Sequence, residues 1–84
     1  MMITILEEDI ETANAEPCRN PLTAALQRVT GTPWKMTNLP FALETVKPHR
    51  IVVLTPEAMS RLESYKQGDT FTPFEFDADL LQPR

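Results

Sequence analysis

The sequence predicts an α+β domain: a two-layer sandwich with a four- or five-stranded, largely antiparallel sheet and two helices on one of its faces. Two helix starts, each a capping residue followed by proline, enclose several short apolar segments, and one more apolar segment follows the second helix. Prolines separate the enclosed segments, which is typical of an antiparallel meander. Because 84 residues are too few for two ordinary domains, we expect a single domain over residues 1–84.

The first predicted strand runs from Met2 to Leu6, where isoleucines on either side of Thr4 give the alternation of a strand with one buried face. The acidic stretch 7–15 follows it. Its composition is compatible with a helix, but we identify only Ile10 as an apolar anchor. This stretch is therefore expected to form a single turn or a short helix at most.

The first helix is predicted to begin at Asn20, an N-cap residue type, with Pro21 at the first helical position, where its missing N–H costs nothing. Gly31 can adopt the left-handed conformation that ends a helix. Apolar Leu22, Ala25, Leu26 and Val29 form one stripe, and polar Thr23, Gln27 and Arg28 form the opposite side, which suits solvent.

The meander between the helices comprises residues 33–37, 41–46 and 50–54. The stretch from Ile51 to Leu54 is apolar without alternation, which predicts a central strand that helices cover on one face and that is partly shielded on the other. Trp34 and Phe41 lie in this meander. They fit the packing of a small core, and an exposed recognition patch is the alternative.

The second helix is predicted from Thr55 as N-cap, Pro56 at the first position and Gly68 as its end. Glu57 complements the positive end of the helix dipole. The residues expected to point inward are Met59, Leu62 and Tyr65.

The last strand is predicted over residues 71–77. Phe74 and Phe76 point to one side and are expected to be buried against the helices, whereas Glu75 and Asp77 point to the other. Pro73 marks an edge strand or the start of a strand, because proline cannot donate to a ladder.

The composition excludes several classes of protein. The longest apolar run, Ile51 to Leu54, is far shorter than the ~20 residues of a membrane-spanning helix. The N-terminus lacks the features of a secretory signal, and the single cysteine, Cys18, agrees with a reducing compartment, so we expect a cytoplasmic protein. A net charge of −4 argues against direct binding to nucleic acid.

Acidic residues are concentrated at both ends of the chain, and the middle is basic. If the terminal strands are neighbours, the two acidic segments are expected to meet on one side of the molecule. Carboxylates are suited to contact a basic surface on another protein. The candidate partner-binding residues are Glu7, Glu8, Asp9, Glu11, Glu75, Asp77 and Asp79.

No catalytic site, metal site or cofactor is predicted. His49, the only histidine, follows Pro48 in a turn without a second ligand or nucleophile at motif spacing. Cys18 is not part of a Cys-x-x-Cys pair, and the acidic stretch lacks the spacing of an EF-hand loop. Both glycines end helices, so there is no phosphate-binding loop.

Three segments together resemble a class of short, uncharacterised bacteriophage and prophage proteins. They are Cys18 with the helix start Pro21–Leu26, the Leu-Thr-Pro-Glu-Ala segment 54–58, and the Pro-Phe-Glu-Phe segment 73–76. In that class the cysteine directly precedes the proline, whereas Asn20 stands there in this sequence. The resemblance implies a phage setting, hence a bacterial host cytoplasm, and brings no particular activity.

The resulting hypothesis is a small, non-enzymatic accessory protein that binds another protein. A phage inhibitor of a host defence or nucleic-acid-processing complex, comparable to an anti-CRISPR protein, would fit. One alternative is a self-associating structural component, for example a homodimer formed through a strand edge in residues 71–77 or in the meander. Another is a nucleic-acid-binding regulator centred on Lys47, His49 and Arg50. An enzyme would have only carboxylates for its chemistry.

Overall fold

The computed structural model describes residues 1–15, 20–37 and 40–82. Its elements are β1 (Met2–Ile5), α1 (Glu7–Ala15), α2 (Pro21–Thr30), β2 (Trp34–Met36), β3 (Phe41–Glu44), β4 (Ile51–Val53), α3 (Pro56–Lys66), β5 (Phe74–Asp77) and β6 (Asp79–Leu81). Helices and antiparallel strands occur together, which confirms the predicted α+β class. Cys18, for which no catalytic role is predicted, lies outside the described residues.

The strands form two antiparallel ladders, together called the sheet here: β1 pairs with β5 in a two-stranded ladder, and β2, β3, β4 and β6 pair in that order in a four-stranded ladder. The two ladders meet at Ala78, the single residue between β5 and β6. Burial alternates without interruption from Phe74 to Leu81, so β5 and β6 are two halves of one C-terminal strand.

Hydrogen bonds show which edge of the C-terminal strand each neighbour uses. The Ala78 N–H donates to the Met1 carbonyl over 2.7 Å, so this backbone group points towards β1. The Leu54 N–H donates to the Pro40 carbonyl, so the backbone groups of Leu54 point towards β3. The backbone groups of Val53, the preceding residue, therefore point towards Asp79 on the other side of β4. Because backbone groups of successive residues point to opposite edges, β1 and β4 flank opposite edges of the C-terminal strand.

Helix α2 follows the predicted local rules. The Thr23 N–H donates to Asn20 Oδ1 over 2.8 Å, and the Asn20 N–H donates to Thr23 Oγ1, which completes a capping box. Gly31 has a φ of 78° and ends the helix. Two expectations were wrong: Thr23 is buried because it serves the cap, and Val29 is exposed because it lies beyond the edge of the buried stripe.

Helix α1 has nine residues and is thus the short helix that residues 7–15 were expected to form at most; it adds a third helix to the two predicted from their caps. Its inner side is formed by Ile10 and Ala13, both buried. The Leu6 N–H at its start donates to Asp9 Oδ2 over 2.8 Å. The helix forms because α2 covers its apolar side, a tertiary contact that the local pattern does not contain.

The C-terminal part also departs from prediction. Strand pairing begins at Phe74, not at residue 71, and the strand extends beyond Asp77 to Leu81. Phe71 is buried but precedes the strand. Pro73 stands directly before the first paired residue, in agreement with its predicted role as the start of a strand.

The core lies between the three helices and one face of the sheet. Its fully buried side chains include Ile3, Ile5, Leu22, Leu26 and Val52. Phe76 belongs to it, whereas Phe74 is only half-buried and packs against its surface. Trp34 is buried, so packing accounts for it rather than an exposed patch.

Candidate functional site

The face of the sheet opposite the helices, here called the open face, is not covered by any helix of the described residues. Residues directly opposite each other in neighbouring strands project to the same side, so the registers define its members. They are Met2 and Thr4 (β1), Glu75, Asp77, Asp79 and Leu81 (β5 and β6), Ile51 and Val53 (β4), Phe41 and Leu43 (β3) and Lys35 (β2).

Half of the open face is apolar. Leu43, Ile51 and Leu81 form one row across three strands, and Phe41 and Val53 form the neighbouring row. We call these five residues the apolar half. Four of them are half-buried by their neighbours, and Leu81 is 52% exposed. One exposed and four partly exposed apolar side chains in adjacent rows offer an apolar contact area to another protein.

The other half of the open face carries the acidic row, which we define as Glu75, Asp77 and Asp79. These residues alternate along one strand, so their Cα atoms are separated by roughly 6.7 Å each. All three are exposed. Thr4 Oγ1 donates to Glu75 Oε2 over 3.0 Å, and the N-terminal amine lies 3.0 Å from Asp77 Oδ1.

The acidic residues of α1 occupy a different part of the molecule. Glu7, Glu8 and Glu11 are exposed, but they belong to a helix that packs on α2 in the helical layer. The terminal strands are indeed neighbours. The acidic row projects from the open face, whereas α1 packs on α2, so the two acidic segments belong to different layers of the domain.

Asp9 is not part of any exposed acidic surface. It is only 3% exposed, and its carboxylate accepts two hydrogen bonds of 3.1 Å from the Arg28 guanidinium. Arg28 also donates to the Thr4 carbonyl over 2.7 Å. The hydrogen bond with Asp9 raises the pKa of Arg28. Asp9 thus connects α1, α2 and β1. In the sequence, this role is indicated by its position three residues after Leu6, where an acidic side chain can cap the start of a helix.

Glu44 is a second buried carboxylate, and no role was predicted for it. It is 0% exposed and bonds to Arg50 through Oε1 (3.1 Å from Nε) and Oε2 (2.8 Å from Nη2). The Thr32 hydroxyl also donates to it. Hydrogen bonds from Arg50 lower the pKa of Glu44 to about 2. A charged residue at alternating spacing in an apolar strand, followed by arginine after a turn, is the signal that could have revealed the pair.

The basic cluster around the β3–β4 turn is smaller than the sequence implied. Arg50 is committed to Glu44, and its guanidinium lies 5.8 Å from the Trp34 ring centroid. His49 has a φ of 59°, and its Nδ1 lies 3.2 Å from the Glu44 carbonyl oxygen. Of the lysine and the arginine of this turn, Lys47 is exposed and Arg50 is paired with Glu44.

In the described part of the chain, no three His, Cys, Asp or Glu side chains are arranged to hold a metal ion. No helix there is both long and apolar enough to cross a membrane. Comparisons of the chain with protein-family models, with curated proteins and with solved structures found no match. The open face, with its apolar half and acidic row, is therefore the candidate site on which a function can be argued.

Proposed function

We propose that this protein is a non-enzymatic accessory protein that binds another protein through the open face. The observation that supports the proposal is the apolar half next to the acidic row, on the side of the sheet that the helices leave uncovered. Protein interfaces combine an apolar centre that excludes water with a polar rim. The open face has both parts: the apolar half lies on the four-stranded ladder, and the acidic row follows the C-terminal strand that borders both ladders.

The charge of the open face indicates the chemistry of the partner. Among the described residues, the three carboxylates of the acidic row stand against two positive groups, the N-terminal ammonium beside Asp77 and Lys35 on the opposite margin of the face. A partner with an apolar contact area flanked by arginines or lysines would complement this surface. The net charge of −4 would also accelerate encounter with a basic partner.

A second copy of the chain is a less suitable partner for the same face. When two sheets pack face to face, one orientation sets Lys35 of each copy against the acidic row of the other. Each half of the interface then has three carboxylates against Lys35 and the N-terminal ammonium that already pairs with Asp77, so one negative charge remains uncompensated. Self-association is therefore the alternative and not the first proposal.

The finer proposal concerns the kind of partner. Carboxylates repeated along an extended strand can contact arginines and lysines that otherwise bind the phosphates of nucleic acid. We place the partner among the nucleic-acid-processing or defence complexes of a bacterial host, as the phage setting implies. Such a complex would lose its nucleic acid when this protein is bound.

The test is capture from host lysate with a matched pair of variants. Leu81→Gln alters the apolar half, and Val29→Gln makes the same type of change at a 49% exposed position on α2. The wild type and Val29→Gln should retain the same protein, whereas Leu81→Gln should lose at least about tenfold in affinity when the purified pair is measured by calorimetry.

Two results would oppose the proposal. Equal retention of the same proteins by all three forms would show that the open face is not used. Light scattering that finds a dimer, which Leu81→Gln dissociates and Val29→Gln preserves, would establish the self-associating alternative.

A further inference from the structure

A groove in the helical layer lies between the start of α1, the C-terminal end of α3 and the loop before β5. It has a volume of about 530 Å³, within the range of ligand-binding clefts. The residues that line it include Glu7, Tyr65, Asp69 and Phe71. It lies on the other side of the sheet from the open face, so a ligand here would be independent of the proposed function.

One wall of the groove is aromatic. Tyr65 and Phe71 meet edge to face, with ring centroids 5.9 Å apart. Phe71 is buried, so the accessible ring surface is mainly that of the half-buried Tyr65. The Tyr65 hydroxyl donates to Asn14 Oδ1 over 2.9 Å, which holds the ring against α1. The aromatic surface is thus fixed in position before any ligand arrives.

The margins of the groove are acidic. Glu7 comes from the first turn of α1 and Asp69 from the loop after α3, and both are exposed. Within the described residues, neither side chain forms an ion pair, and no lysine or arginine lines the groove. The quadrupole of an aromatic ring attracts an organic cation to the ring face, and the negative charge of the neighbouring carboxylates adds to this attraction.

We propose that this groove binds an arginine side chain of another protein. A guanidinium is planar, so it can lie over the Tyr65 ring, and its fork of N–H donors can serve carboxylates at both margins. A lysine ammonium would keep more of its hydration and offers no planar surface. The ligand is therefore an exposed arginine within a peptide segment.

The experiment is an NMR titration of the full chain with Nα-acetyl-arginine N-methylamide. The citrulline derivative, which has the same shape without the charge, is the matched control ligand, and spermidine tests a free polyamine. The arginine derivative should shift the amide signals of Gly68, Thr70 and Asn14 along a saturable curve with a millimolar Kd. The citrulline derivative should leave them in place.

Variants locate the interaction. The double variant Glu7→Gln with Asp69→Asn should weaken binding of the arginine derivative at least tenfold. The control double variant, Glu11→Gln with Glu63→Gln, removes the same charge outside the groove and should leave the Kd within twofold of the wild type. Tyr65→Leu should abolish saturation, and Tyr65→Phe, which keeps the ring, should retain it.

Three outcomes overturn the proposal. Equal shifts with the citrulline derivative would show that charge is not recognised. If both double variants weaken binding of the arginine derivative equally, the binding reflects only the general attraction of a cation to an acidic protein. Saturation by spermidine without saturation by the arginine derivative would assign the groove to a polyamine.

Discussion

Phe74 and Phe76 show how strongly the contribution of one residue type depends on its place in the strand. Both point to the same side of the C-terminal strand, and their rings stack with centroids 5.5 Å apart. Phe76 lies in the core, whereas Phe74 is half-buried beneath the Arg61 guanidinium, which lies 4.3 Å from its ring centroid. The alternation in the sequence identified the side but not this difference in depth.

Substitution of these residues should separate the two environments. Phe76→Ala removes a buried ring and should lower the free energy of unfolding by roughly 3–5 kcal/mol. Phe74→Ala should cost clearly less, because water already reaches part of the ring. Urea unfolding followed by Trp34 fluorescence measures both values. Equal losses, or a larger loss for Phe74→Ala, would contradict the assigned burial.

At the scale of elements, α1 shows what tertiary contacts add to a weak local signal. Helices α2 and α3 were predictable because their caps and prolines are local features of the sequence, as at Asn20 and Thr55. The α1 stretch has few apolar residues, and Asp9 counted there as one more surface acid. Only its contact with Arg28, nineteen positions along the chain, makes it a buried anchor of the helix.

Asp9→Asn tests this assignment. It removes the charge that binds Arg28 and should lower the free energy of unfolding by about 1–3 kcal/mol. Glu8→Gln is the matched control, because Glu8 is exposed and its carboxylate lies 3.8 Å from Arg28 Nε; it should change stability by less than about 1 kcal/mol. Thermal and urea unfolding give both values. If Glu8→Gln proves as costly as Asp9→Asn, Asp9 is not the anchor.

The candidate site was harder to predict from the sequence than the fold was. Glu75, Asp77 and Asp79 could be chosen as exposed acids from composition and alternation. Their apolar neighbours could not, because Leu43, Ile51 and Leu81 become one surface only when three strands pair in one register. A slip of one residue would turn every side chain of a strand to the other face.

At the scale of the whole molecule, the buried Glu44–Arg50 pair couples the fold to pH. It connects β3 to β4 and, through the Thr32 hydroxyl, to the segment that follows α2. Hydrogen bonds from Arg50 lower the pKa of Glu44 from 4.5 to about 2. Since this pKa is lower in the folded state, the folded state favours the ionised carboxylate.

The sign of the pH dependence follows from this shift. The stabilisation by Glu44 should be fully present above pH 4.5, the ordinary value for a glutamate, and should be lost as the pH falls towards about 2. Glu44→Gln should therefore be less stable than the wild type at pH 7, and the difference should shrink between pH 4.5 and 2. Exposed Glu63→Gln should remain within about 0.5 kcal/mol of the wild type at pH 7.

The wild type alone provides a second measurement if Glu44→Gln does not fold. An NMR titration of the Glu44 carboxyl carbon reports its pKa directly, and the midpoint should lie near 2 while the chain is folded. A midpoint near 4.5 would mean that Arg50 does not hold the carboxylate. In that case the ion pair would not connect β3 to β4 in the way described, and the acid unfolding of the domain would not depend on Glu44.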